Sequence, residues 1–229
     1  MAAVWLTAAV LAAFQPASAA QEWHAVLGHS ERGRPIRVYR VGHFASPRTI
    51  LVVGCIHGDE CEGVHVTRRL ARRPPPGVDL WIVHSLNPDG RRRGLRQNGR
   101  GVDLNRNFGS QWTRIGRRWG PQYSGPRAWS ERETRLARRL VLRVRPDVTI
   151  WYHQPQAVVR AWGTSVPAAR RYARLAREPY RSLRWLPGTA PNWQNRRFSR
   201  GASFVVELPP GRLGPGEAAR HARAVGLLR

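Results

Sequence analysis

Residues 49–53 form an apolar run without alternation, the pattern of a strand buried on both faces. Residues 79–86, 147–152 and 203–206 repeat that pattern. Residues 23–27 and 36–41 read as shorter strands joined by a polar turn at 28–33. Helical spacing separates several of these runs. Residues 61–72 set Val64, Val66 and Leu70 among polar neighbours and stop before Pro74-Pro75-Pro76. Ser130-Glu131-Arg132-Glu133 reads as a capping box opening an amphipathic helix to about residue 144, and residues 168–177 and 217–228 are further helices. Residues 87–127 are rich in Gly, Arg and Asn and carry little periodicity; a loop of that length in a compact domain is functional or disordered. Strands alternating with helices predict an α/β fold, a three-layer sandwich with a mixed, largely parallel central sheet flanked by helices.

Composition changes this picture at the N-terminus. Residues 2–14 are uncharged and rich in Ala, Val and Leu, and the small residues Ala17-Ser18-Ala19-Ala20 follow. That is the layout of a secretory signal peptide, residues 1–20, with one catalytic domain expected over 21–229 and an exported mature protein. The apolar run falls short of the ~20 residues a transmembrane helix needs. The formal charge is +25, and all of the 39 basic residues counted as Lys or Arg are Arg, spread along the whole chain. A uniform bias of this kind defines no phosphate-binding stripe, so no specific nucleic-acid partner is expected. Nonspecific attraction to anionic polymers, cell-wall polymers among them, is expected. Two cysteines, Cys55 and Cys61, bracket one short loop; a disulfide and a pair of buried thiols are both open.

That loop carries the candidate chemistry. His57 and Glu60 stand three residues apart just beyond the strand 49–53, His153 follows the strand 147–152, and Glu207 follows the strand 203–206. In open α/β sheets, ligands gather outside the carboxyl ends of strands. His57, Glu60 and His153 make a His2Glu zinc set, one ion per chain, with a position open for water. Glu207 takes the proton of that water as it attacks a carbonyl and passes it to the leaving amine. An Arg from the long loop stabilises the oxyanion.

With those residues in place the chain resembles the zinc carboxypeptidases of the carboxypeptidase A type, in a compact bacterial form. The resemblance rests on His57-Gly58-Asp59-Glu60, Asn87-Pro88-Asp89-Gly90, Arg96-Gln97-Asn98, Val102-Asp103-Leu104-Asn105-Arg106-Asn107-Phe108, His153 and Ser203-Phe204-Val205-Val206-Glu207-Leu208, in the family's order. It implies that Arg96 stabilises the oxyanion and that Asn105 and Arg106 grip the carboxylate of the substrate. A planar guanidinium suits that grip because it pairs bidentately with a carboxylate. The implied reaction is hydrolysis of an amide bond next to a free carboxylate. A close variant resembles the murein peptide amidases, which cut between D-glutamate and a diamino acid in wall peptides.

The resemblance has two gaps. Family members often place a Tyr upstream of the base; here Arg184 falls near that place, with Tyr180 earlier, and neither receives the role. Pro191 stands where the specificity residue is expected. Two alternatives stay open: a zinc amidohydrolase resembling aspartoacylase and succinylglutamate desuccinylase, acting on N-acyl amino acids, and a non-catalytic, exported, basic binding protein.

Overall fold

A computed structural model describes residues 20–182, 184 and 186–228. The expected signal peptide lies outside the described residues except for Ala20. The strands are β1 (Gln21–His29), β2 (Pro35–Gly42), β3 (Thr49–Val53), β4 (Asp79–Val83), β5 (Val148–His153), β6 (Val158–Ala161), β7 (Tyr180–Ser182) and β8 (Ala202–Glu207). They form one sheet in the order β1-β2-β4-β3-β5-β8-β6-β7. The centre, β4-β3-β5-β8, is parallel; β2 and β6 flank it antiparallel, β1 pairs antiparallel with β2, and β7 pairs parallel with β6. The helices are α1 (Gly63–Arg72), α2 (Pro88–Arg93), α3 (Arg132–Val144), α4 (Val166–Ala176), α5 (Ala190–Arg197) and α6 (Pro215–Gly226).

Two apolar layers sandwich the sheet. On one side Ile150, Tyr152, Phe204 and Val206 pack with Val66 and Leu70 of α1, Tyr172 of α4 and Val225 of α6. On the other, Leu51, Val53, Trp151 and Val205 pack with Leu136 and Leu140 of α3, Trp193 of α5, and Leu104 and Phe108 of the long loop. Strand periodicity decides which side chain serves which layer. His153 therefore shares the face of Trp151, and Glu207 the face of Val205. Because β3, β5 and β8 run parallel, their carboxyl ends fall on one edge of the sheet, and His153 pairs directly with Glu207 in register. Both expected site residues close their strands rather than following them.

Several elements depart from the sequence pattern: α2 is a short helix inside the segment 87–127 read as a loop, and β4 stops at Val83 instead of running to residue 86. β6 and β7 are too short to show alternation, and α5 contains two Asn after Pro191, a composition that favours turns. A further departure is the capping box. Ser130 Oγ donates to the Glu131 carboxylate and accepts no N–H from the first turn of the helix, and α3 begins at Arg132. Its free N–H is capped from outside: the backbone N of Arg132 donates to Glu31 Oε1 at 2.7 Å. A carboxylate from the β1–β2 turn thus takes the place of a local cap at the positive end of the helix.

Glu133 in turn accepts the backbone N–H of Glu31 and the side-chain amide of Asn98. Burial, with the nearby charge of Glu31 adding to it, pushes its carboxyl up to about 7. Between the ordinary value near 4.5 and 7 the folded protein holds a proton that the unfolded chain has lost, so stability from this group falls as pH rises through that window. The order-of-magnitude ceiling is ~3 kcal/mol. Denaturant unfolding of metal-free protein at pH 5 and pH 8 should show a decline that is markedly flatter in Glu133→Gln. Equal declines would exclude Glu133 as its source.

Candidate active site

The long segment 87–127 is an internally bonded polar scaffold. Asn87 accepts the backbone N–H of Gly90 and donates to the carbonyl of Arg96, which closes the turn around α2. Asn98 accepts two backbone N–H groups, from Arg100 and Val102. Asn107 donates to the carbonyls of Ser124 and Arg127 and accepts from Glu131 and Thr134. Buried backbone groups that no ladder reaches are satisfied by amide side chains, which explains the Asn content of the segment. The scaffold presses on the His57–Glu60 loop. A Cβ on Gly58 would stand 2.0 Å from the carbonyl carbon of Gly90. Gly58→Ala should therefore force the two loops apart, at about 1–3 kcal/mol of stability, read as a lower denaturation midpoint. An unchanged midpoint would show that the loops yield freely. The same loop is spanned by a Cys55–Cys61 disulfide, Cα atoms 4.7 Å apart, which settles the pairing the sequence left open.

His57, Glu60 and His153 converge. Nδ1 of His57 and Nδ1 of His153 each lie 2.9 Å from Glu60 Oε2, and the three candidate ligand atoms all fall within 4.8 Å of one another. Nε2 of His57 lies 2.9 Å from Asp103 Oδ1, where it donates and so leaves Nδ1 facing Glu60. Two imidazole nitrogens and one carboxylate oxygen on one spot are the donor set that Zn2+ takes, with further positions left for water or substrate. The residues present fit the ion.

The charges at the site answer to one another. Burial, and to a lesser degree the Arg96 charge, lower His57's affinity for a proton, but the Asp103 and Glu60 carboxylates together outweigh them and the imidazole is raised overall. Burial brings His153 down to about 4, although its bond to Glu60 opposes the change. Burial would raise Glu60, yet the two imidazoles hold its carboxyl far below the usual range. Arg96 bridges this group: Nη1 binds Glu60 Oε1, while Nε and Nη2 bind Asp103 Oδ2 at 3.1 and 3.0 Å. Asn105 Oδ1 accepts the backbone N–H of Ala190, tying the loop to α5. Arg106 Nη1 donates to the carbonyl of Asn105, and its Nε is buried without a hydrogen-bond partner.

All seven expected site residues line one cavity of about 460 Å³. Glu207 is 8% exposed, and its Oε2 makes no hydrogen bond. Burial, reinforced by the like charge of Glu60, pushes its carboxyl up to about 7. Arg184 lines the same cavity and Tyr180 does not. Sequence reasoning passed over Asp103. It lies inside the quoted string, but nothing along the chain links it to His57, 46 positions away.

The sequence model of the zinc carboxypeptidase family matches residues 76–204, more than half of the chain, and the chain belongs to that family. It is 31% identical over 144 residues to murein peptide amidase A of Escherichia coli K12, a match covering 58% of this chain and 59% of that protein. The murein peptide amidase A of Vibrio campbellii is 28% identical over 202 residues, covering 80% of this chain and 78% of the relative. Among solved structures, the murein-tripeptide amidase of Escherichia coli O157 superposes with a TM-score of 0.70 at 25% identity, covering 94% of this chain and 92% of that one.

Proposed function

We propose that this chain is an exported zinc peptidase that hydrolyses the amide bond next to a free carboxylate, with bacterial wall peptides as its substrate class. The observation that carries the reading is the meeting of the His57–Glu60–His153 cluster, the unpartnered carboxylate of Glu207 and the Asn105–Arg106 pair on one cavity. His57, Glu60 and His153 would hold the zinc, which when bound would supply the Lewis acidity that polarises a scissile carbonyl and acidifies water. Glu207, poised near neutral pH, removes a proton from the attacking water and returns it to the departing amine. Arg96, oriented by Asp103, faces the oxyanion as it develops. Arg106 and Asn105 fix the free carboxylate, and with it the bond presented to the base.

Similarity to murein peptide amidases supports the wall-peptide class, as does the apolar leader at residues 2–14, which supports export. The high positive charge suits a setting of anionic wall polymers, to which we assign nonspecific attraction only. Metal analysis of purified protein should find about one zinc per chain. Incubation with murein tripeptide and with blocked C-terminal dipeptides should then give hydrolysis that a chelator abolishes and zinc restores. Cleavage of the dipeptides alone removes the wall assignment. Zinc-loaded protein that cleaves N-acyl amino acids and no peptide would return the amidohydrolase reading.

A further inference from the structure

The cavity contains a cation that the reaction does not use. Arg160 lies on β6, which pairs antiparallel with β8 so that Arg160 is directly opposite Val205 and Val158 opposite Glu207. Cross-strand partners share a face, so Arg160 stands beside Val205 on the face that presents Glu207, diagonal to the base at the ~7–8 Å typical of such neighbours. It lines the same cavity as Arg106.

Arg106 and Arg160 have a further property in common. Each has a buried guanidinium Nε without a hydrogen-bond partner, and Arg160 forms no salt bridge to a carboxylate among the described residues. A buried donor left unsatisfied is costly, and a guanidinium is the side chain best shaped to recover that cost from a carboxylate. Arg106 is already assigned one carboxylate of the substrate. Arg160, whose charge also acts on Glu207, leaves a second Nε unsatisfied across the same space, and a second carboxylate of the substrate would satisfy it.

We propose that Arg160 forms a second anion subsite, which selects substrates whose leaving residue carries a side-chain carboxylate in addition to the one held by Asn105 and Arg106. This rests on the reading of the cavity as the peptidase site. The recognised chemistry is a dicarboxylate, which either an acidic amino acid or a diamino dicarboxylic acid supplies. Arg184, whose guanidinium lies over the Trp162 ring at 5.4 Å, adds positive charge at the same cavity.

Three blocked dipeptides that differ only in the leaving residue, glutamine, glutamate or meso-diaminopimelate, test the subsite. The zinc-loaded protein should prefer both acid-bearing peptides to the glutamine peptide by about tenfold or more in kcat/KM, carried mainly by KM. Which acid leads identifies the source of the carboxylate. Arg160→Gln should bring the three values together by lowering the acid-bearing pair. A fall of the same size on all three, with a displaced pH profile, would overturn the subsite and make Arg160 a partner of Glu207 alone. Calorimetric titration of free glutamate and free glutamine into wild type and variant provides a readout without turnover. Tighter glutamate binding that depends on Arg160 supports the subsite even where no peptide is cleaved. Equal binding in the wild type overturns it even where hydrolysis proceeds.

Discussion

Glu207→Gln should retain zinc and lose hydrolysis, with kcat lower by about 10²–10⁴-fold, the range that a positioned general base contributes. The substitution keeps the shape of the side chain and removes its capacity to accept a proton. Glu207 lies outside the His57–Glu60–His153 cluster, and its Oε2 has no hydrogen bond to lose, so neither the ligand set nor the packing should change. Metal analysis and the thermal midpoint of the variant should therefore match the wild type while turnover collapses. That combination separates a base from a ligand: loss of metal together with activity would place Glu207 in the coordination set. A variant with more than about a tenth of wild-type kcat would remove it from the proton transfer.

The strands that carry the site could be read almost residue for residue, because a strand buried on both faces has few solutions other than a continuous apolar run. β3 begins and ends where the run at 49–53 does, and β5 and β8 differ by one residue at each end. The sheet edge then follows from parallel pairing alone, so His57, Glu60, His153 and Glu207 could be brought together before any side chain was placed. Residues whose role depends on a partner far along the chain were out of reach. Asp103 matters only because it meets His57 and Arg96. Arg160 is one of 39 arginines, and only its cross-strand register and its unsatisfied Nε distinguish it. The capping box at Ser130 failed for a related reason. A local pattern was overridden by Glu31, which reaches the helix from another part of the fold.

Asp103 also carries the second large effect. Its carboxylate is fully buried and joins three parts of the site: it accepts from His57 Nε2, from the Arg96 guanidinium and from the backbone N–H of Asn105. Burial would raise its carboxyl, but the His57 and Arg96 charges hold it well below the usual range, so it faces them as an anion. Asp103→Asn leaves an acceptor for the backbone and turns an amide N–H2 toward the Arg96 donors, where no acceptor remains. The imidazole loses the charge that fixes its tautomer, and Arg96 keeps Glu60 as its single carboxylate. Zinc affinity, measured by competition with a chelator, should weaken by about 10–100-fold, as losses of such supporting carboxylates do. At saturating zinc a deficit in kcat should persist, because the guanidinium that meets the oxyanion is no longer held from behind. Full recovery of kcat by added zinc would confine Asp103 to orienting His57, and an unchanged zinc affinity would show that Glu60 and the two imidazoles need no such support.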